Sequence, residues 1–240
     1  MITRSVCKIT EEYEPDLLNR LSNYVSEPMM TEDDITLRSV VKLNPRISSD
    51  TTSYLSGRLY YQKLFSVKDF EINDDGDIDE NDSNIRRTMI ADFWIKQNPG
   101  IILFSNKISS ENGSKIISQI LFDSTESIKQ MKFKIENIER DVQAGLLTGM
   151  WAYSFKDRNG NIQKGQLFGD GDVNQDTIFG LTAGAPRNFI GIKKELNDED
   201  TKIKVTRSGS ITFFVKDEDL ATDVTLQEII GDLLPYGYLD

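Results

Sequence analysis

Polar and apolar residues alternate most clearly in the middle of the chain, at residues 150–156. Three aromatic residues occupy every second position there: Trp151, Tyr153 and Phe155. A period of two places their rings on one face of a strand. A second run at 162–168 follows an Asn159-Gly160 pair, which favours a type I′ turn. With that turn Trp151 faces Phe168, whereas a bulged five-residue loop shifts the register by one residue. We therefore predict a β-hairpin whose aromatic face is one wall of a hydrophobic core.

Similar patterns predict the other elements of the chain. Alternating or short apolar runs predict strands at 2–10, 35–43, 54–65 or longer, 87–96, 101–106, 188–194, 202–206 and 211–215. Residues 54–65 mix the periods of a strand and a helix, so a helix is the alternative there. Apolar residues three and four apart predict helices after Pro15, from about Ser109, and from a capping box at 225–228 to Pro235. Residues 124–145 fit either a strand followed by a short helix or one continuous helix from Ser127.

Strands followed by a helix occur in both halves of the chain. This order predicts an α+β fold with two antiparallel-sheet units, each with a helix packed on one face. The units would be residues 1–126, which include an acidic connection at 71–84, and residues 127–240, a sheet closed by the C-terminal helix. The shared order is compatible with a structural pseudo-repeat, although no residue-level repeat supports a duplication.

The acidic residues are concentrated in one stretch. Residues 71–82 contain seven acidic residues and no basic one, so they carry −7 of the net charge of −11 and leave −4 for the rest. An EF-hand calcium loop needs glycine at its sixth position and glutamate at its twelfth, but counting from Asp75 these positions hold Glu80 and Arg86. We predict a solvated connection here, with a weak calcium site or an acidic docking segment as alternatives.

Composition narrows the possible chemistry. With 38% hydrophobic and 28% charged residues, the chain is typical of a globular protein with a sizeable core. It has no histidine, which excludes serine–histidine and cysteine–histidine catalysis and most zinc sites, so an enzyme is the less favoured class. A single cysteine, Cys7, fits a reducing cytoplasm. No apolar run approaches the roughly 18 residues that would span a membrane, so we expect no membrane partner.

A glycine- and aspartate-rich loop follows the central hairpin and is the candidate small-ligand site. Four of its oxygen-bearing residues are candidate ligands for magnesium or calcium: Asp170, Asp172, Asn174 and Asp176. Gly169 and Gly171 would let the backbone approach a ligand closely, and Arg187 would grip a phosphate or carboxylate. The same composition is typical of a tight surface loop without a ligand, and we expect no firmly bound cofactor.

Basic residues near the central hairpin suggest a second kind of site. Lys156, Arg158 and Lys164 lie on or beside it, and Lys202, Lys204 and Arg207 belong to a later predicted hairpin. Aromatic rings with basic neighbours are typical of surfaces that stack single-stranded bases. The overall negative charge disfavours nonspecific nucleic-acid binding, which depends on neutralising phosphates.

Three hypotheses about function follow. The first is a noncatalytic accessory or interaction protein of a prokaryotic or viral cytoplasmic complex, with another protein as its partner. The second is a nucleic-acid-associated component of a defence or processing complex. The third is a carboxylate- or metal-dependent enzyme that uses Asp170, Asp172 and Asp176.

Overall fold

Antiparallel strands dominate the computed structural model of the chain, which describes residues 1–12, 19–22, 24–27, 29–30, 35–44, 55–96, 98–147, 149–157, 162–196, 199–214 and 229–239. The strands are β1 (Ile2–Ile9), β2 (Met29–Met30), β3 (Thr36–Leu37), β4 (Ser39–Leu43), β5 (Leu55–Ile72), β6 (Ile78–Lys96), β7 (Ile101–Phe104), β8 (Ile128–Gln130), β9 (Lys132–Phe133), β10 (Met150–Phe155), β11 (Gly165–Phe168), β12 (Phe189–Leu196), β13 (Glu199–Thr206), β14 (Ser210–Phe213) and β15 (Gly237–Tyr238). The helices are α1 (Lys107–Phe122), α2 (Ile135–Gln143), α3 (Thr177–Leu181) and a C-terminal segment at 229–233. Within these described residues, 3-10 turns lie at 19–21, Val173–Gln175 and Leu234–Tyr236.

An 11-stranded antiparallel sheet contains most of these strands. Its order is β11-β10-β12-β13-β14-β1-β7-β6-β5-β4. The eleventh strand, β8, pairs with residues 7–9 of β1, beyond residues 2–5 that pair with β14. The N-terminal strand β1 lies near the middle. Its residue Ser5 pairs on one side with Ser210 of β14 and on the other with Phe104 of β7. Strands from both halves of the chain are therefore hydrogen-bonded into one sheet through β1.

The prediction of a balanced α+β fold with two sheet units is wrong, because the chain forms one large and mostly antiparallel sheet. Periodicity identifies a strand but not its partners, and both edges of β1 are used. Whether residues 1–126 and 127–240 fold independently stays a prediction. The residues proposed for the hairpin turn (158–161) and the capping box (225–228) lie outside the described ranges.

Two hydrophobic cores lie on opposite faces of the sheet. Val6 belongs to one core and Cys7 to the other, and successive residues of a strand point to opposite faces. The first core packs β10, β12, β13 and β14 against α2 and the segment 229–233. The second core packs β5, β6 and β7 against α1. Each helical layer therefore covers only part of the sheet, and the helices lie on different faces.

The hairpin of β5 and β6 is much longer than its neighbours. The two strands pair from Leu55–Ile95 to Ile72–Ile78, whereas β4 pairs only with residues 57–61 and β7 only with residues 93–96. We call residues 65–85 the arm. Its eight residue pairs span about 25 Å at the usual rise of a strand. The predicted acidic connection at 71–84 is exposed, but most of it extends these two strands instead of forming an irregular loop.

Burial raises the pKa of the Cys7 thiol from 9.0 to about 12. The neutral thiol therefore stabilises the folded chain fully below pH 9, and this contribution is lost as the pH rises from 9 towards 12. Between pH 8.5 and 10.5 we expect the free energy of unfolding to fall by about 2 kcal/mol more in the native chain than in Cys7→Ala. Urea titrations at the two pH values measure this difference, and equal losses in both proteins would contradict it.

Candidate functional site

The central hairpin of β10 and β11 has a different register from the favoured prediction. Ala152 pairs with Phe168, and Phe155 pairs with Gly165. The pairing is shifted by one residue, as the sequence indicated for a bulged loop. Gly165 is required here, because an added Cβ atom would lie 2.8 Å from the ring of Phe155.

A β-bulge in β10 separates the aromatic residues that were predicted to share a face. The register between β10 and β12 shifts between Met150 and Ala152, so Trp151 is the extra residue. Tyr153 and Phe155 enter the core that α2 covers, as predicted. Trp151 instead packs with Ala152 and Phe189 in a separate cluster. The prediction of one shared face is therefore wrong for Trp151, which lies on the opposite side of the sheet.

The bulge places Trp151 on a surface of four aromatic rings and two lysines, which we call the aromatic–lysine face: Trp151, Phe168, Phe189, Phe214, Lys202 and Lys204. Phe189 precedes Ile190, a residue of the core under α2, so it points away from that core. This is the face of the sheet that α1 covers farther along, where α1 packs on β1, β6, β7 and β8. At the β10–β12 end, Phe168 and Phe214 stay 61% and 43% exposed.

The floor of the aromatic–lysine face is rigidly held. The indole N–H of Trp151 donates to the carbonyl of Ile203 at 3.2 Å. The indole lies on the backbone of Gly191, where an added Cβ atom would be 2.6 Å from Trp151 Cε2. The ring of Phe214 packs edge to face on the ring of Trp151, with centroids 5.1 Å apart. The ring of Phe168 also contacts Trp151, with centroids 6.0 Å apart. A buried indole therefore supports two exposed phenylalanine rings.

The two lysines of the aromatic–lysine face lie over its rings. Lys202 Nζ is 5.4 Å from the centroid of Trp151, and Lys204 Nζ is 4.4 Å from that of Phe189, which are cation–π distances. Lys202 also forms a loose ion pair with Asp170, at 3.5 Å. A carboxylate from outside the chain would find two positive charges over Trp151 and Phe189, the two buried rings that the exposed Phe168 contacts.

The structure joins two of the four predicted metal ligands, Asp172 and Asn174, by hydrogen bonds. Asp172 accepts hydrogen bonds from the backbone N–H groups of Met150 and Asn174 and from the side chain of Asn174. Asp176 caps α3 by accepting from the N–H of Ile178. Within the described ranges, no cluster of three acidic or cysteine side chains is arranged to hold a metal ion. The carboxylates of Asp172 and Asp176 therefore shape the loop, and binding of magnesium or calcium by this loop stays a prediction.

The two glycines of this loop differ in their surroundings. An added Cβ atom at Gly169 would lie 2.6 Å from Val173 Cγ1, whereas at Gly171 it would have no neighbour within 4 Å. The N–H of Gly169 donates to the carbonyl of Trp151 and so prolongs the pairing of β10 and β11. The missing side chain of Gly169 therefore makes room for Val173 within the loop, whereas the space beside Gly171 is unoccupied by other residues.

Arg187 lies on the other face of the sheet and is 1% exposed. Its guanidinium donates to both carboxylate oxygens of Glu139, from Nε at 2.9 Å and from Nη2 at 3.2 Å, and to the hydroxyl of Thr182. It also stacks on the rings of Tyr153 and Phe179, 4.6 and 5.2 Å from their centroids. The predicted ligand-binding arginine therefore ties α2 to the sheet, and it does not share a site with Asp170, which lies beside Lys202.

A neighbouring pair links the same elements. Arg207 donates to the carbonyl of Arg187 and to the carboxylate of Glu136 in α2. Burial alone would raise the pKa of Glu136, but the hydrogen bond from Arg207, backbone hydrogen bonds and the positive charge of Arg207 together hold this pKa below its usual value. Arg207, which was considered with the basic hairpin residues, is therefore part of the structural contact beneath α2.

The predicted nucleic-acid residues are only partly described. Lys156 pairs with Asp157 at 3.8 Å, and Lys164 is exposed beside β11. Arg158 lies outside the described ranges. The lysines that accompany the aromatic rings are Lys202 and Lys204, from the later hairpin. The sequence gives no sign that Phe214 is a surface ring, because its position at the end of an apolar strand is typical of a core residue.

Comparisons with known proteins add no family assignment, because the chain matches no protein-family model and no curated protein. None of the helices in the described part of the chain has the length and apolar character that crossing a membrane requires. The case for function therefore rests on the geometry of the aromatic–lysine face.

Proposed function

We propose that the chain is a noncatalytic interaction protein and that its aromatic–lysine face binds a protein segment carrying carboxylates and apolar side chains. One observation carries the proposal: the exposed rings of Phe168 and Phe214 both contact the buried ring of Trp151. Lys202 lies over that same buried ring, and Lys204 lies over the neighbouring ring of Phe189. Adjacent exposed aromatic residues with a polar rim are typical of protein-binding surfaces.

The face offers both affinity and selectivity. Covering the two exposed rings would remove apolar area from water, which is worth roughly 25 cal/mol per Å² before the costs of binding. A carboxylate of the partner can replace Asp170 beside Lys202, since that ion pair is long and its groups are exposed. Surface pairs of this kind contribute at most about 1 kcal/mol, so the charges select the partner more than they hold it.

Binding of a labelled peptide tests the proposal. We expect a twelve-residue peptide of alternating Asp and Phe to bind, and a peptide of alternating Asp and Ser to bind at least about tenfold more weakly, because it lacks rings. Lys202→Glu with Lys204→Glu should weaken binding of the Asp–Phe peptide by about tenfold or more. Fluorescence anisotropy measures each affinity.

A matched variant controls for net charge. Lys42→Glu with Lys115→Glu makes the same change in charge at exposed positions outside the aromatic–lysine face. This control should bind the Asp–Phe peptide as the native chain does. Equal weakening in both double variants would show a nonspecific charge effect, and no binding by the native chain would refute the proposal.

A second candidate function is binding of single-stranded nucleic acid at the same face. The ring-and-lysine arrangement favours it, because bases stack on aromatic side chains and lysines neutralise phosphates. The net charge of −11 opposes it. Tighter binding of a labelled twelve-nucleotide thymidine strand than of the Asp–Phe peptide, lost in Phe168→Ser, would support this candidate over the first.

A further inference from the structure

The end of the arm has an unusual combination of side chains. We define the tip as residues 70–82, which include the whole acidic run and carry a charge of −7. Three large apolar side chains in the tip are between 60% and 76% exposed: Phe70, Ile72 and Ile78. A chain that exposes apolar groups at the end of a projecting hairpin has a surface suited to contact with another molecule.

The apolar side chains of the tip share one face of the hairpin. Ile72 pairs with Ile78 and Phe70 pairs with Glu80, and these positions alternate with the pair of Glu71 and Asp79. Glu80 lies on the apolar face and is bridged to Lys68, just outside the tip. The other face of the tip is acidic. The tip is therefore an apolar strip surrounded by carboxylates.

We propose that the tip of one copy of this chain binds the aromatic–lysine face of a second copy. The proposal rests on the proposed function, because it names the acidic and apolar segment that the face would bind. The two surfaces are complementary in apolar character and in charge. Exposed Phe and Ile side chains would meet exposed Phe168 and Phe214, and the −7 charge would meet Lys202 and Lys204.

The arrangement of the sheet favours contact between copies over contact within one copy. The arm prolongs β5 and β6 along the strand direction, while the aromatic–lysine face lies across the sheet. From β6 to β12 there are five strand spacings, or about 24 Å. The tip side chains are exposed in the structure, so the tip does not cover its own face.

A contact between two different surfaces has a definite consequence for assembly. A pair joined by one such contact still has one free tip and one free aromatic–lysine face. These can bind each other and close a reciprocal dimer, or further copies can add until a larger ring closes or a filament grows. A contact made by the three apolar side chains of the tip would bury a small area, as in the weak and transient class of interfaces. Added salt should weaken it, because its charged groups are exposed.

Sedimentation velocity of the full chain tests the proposal. The native chain should associate progressively between about 5 µM and 500 µM, the range expected for a weak contact. A face variant, Lys202→Glu with Lys204→Glu, and a tip variant, Phe70→Ser with Ile72→Ser and Ile78→Ser, should each remain monomeric. Circular dichroism spectra like that of the native chain show that each variant is folded.

Mixing the two variants gives the decisive result. The face variant keeps an intact tip and the tip variant keeps an intact face, so an equimolar mixture should form a one-to-one complex and nothing larger. Three other exposed apolar residues supply the matched control for the tip variant: Ile90, Ile108 and Leu146. Their replacement by serine should leave the association of the native chain unchanged.

Three outcomes would overturn the proposal: a native chain that is monomeric throughout, a tip variant that still associates, or a mixture that stays monomeric. The Asp–Phe peptide separates this failure from failure of the proposed function. A tip variant that binds the peptide while the native chain stays monomeric shows that the face works and that the arm is not its occupant. A tip variant that fails to bind the peptide counts against the proposed function itself.

Discussion

Arg187→Met should lower the free energy of unfolding by about 3–5 kcal/mol, because it leaves the Glu139 carboxylate without its partner in a largely buried site. The substitution also removes the hydrogen bond to Thr182 and the stacking on Tyr153 and Phe179. Denaturant unfolding measures the change. The contact joins α2 to the sheet, so its loss should loosen the packing of that helix.

An exposed ion pair in the same chain is the control. Arg58 donates to Asp92 at 2.6 Å, but both side chains are well exposed. Arg58→Met should therefore cost less than about 1 kcal/mol. The double variant Arg187→Met with Glu139→Leu should recover much of the loss, because an apolar pair leaves no buried charge. Equal costs for Arg187→Met and Arg58→Met would contradict the role of burial.

Gly209→Ala should cost about 3–4 kcal/mol, the sum of backbone strain and a steric clash. Gly209 has a φ of +89°, and an added Cβ atom would lie 1.9 Å from the carbonyl oxygen of Met131. Its own carbonyl accepts from the N–H of Val6, so displacement of this turn would also disturb β1. We expect a lower denaturant midpoint.

Gly145 separates the two contributions. It has a φ of +74°, and an added Cβ atom there would have no neighbour within 4 Å. Gly145→Ala should therefore show the strain alone, about 1–2 kcal/mol. Equal destabilisation by Gly145→Ala and Gly209→Ala would contradict the close packing of the Met131 carbonyl against Gly209.

The positions of most strands and helices were predictable from the sequence. Alternation identified β10 and the meander of β12, β13 and β14, and helical spacing identified α1. Residues 124–145 resolved into β8, β9 and α2, the first of the two alternatives. The partners of β1 were not predictable, because the sequence of an apolar strand does not indicate which strands pair with it. Without the pairing of β1 to both β7 and β14, the two halves of the chain were predicted as two sheet units.

The candidate site was less predictable than the fold. Alternation alone places Lys202 and Lys204 on one face of β13, but only the bulge places Trp151 beneath Lys202. A one-residue insertion reverses the face of a side chain and leaves no clear signal in hydrophobic alternation. The length of the arm was not predictable either, because the acidic residues at 71–82 do not show the hydrophobic alternation of a strand. These residues lie in strands that pair mainly with each other.

The fluorescence of Trp151 tests the central claim most directly. Trp94, the other tryptophan, lies in β6 beside Arg4, and Trp94→Phe leaves Trp151 as the sole indole. In this variant, titration with the Asp–Phe peptide should shift the emission of Trp151 saturably, and Lys202→Glu with Lys204→Glu should abolish the shift at the same peptide concentrations. Saturable binding of the peptide by anisotropy with no change in Trp151 emission would place the site elsewhere and contradict the account.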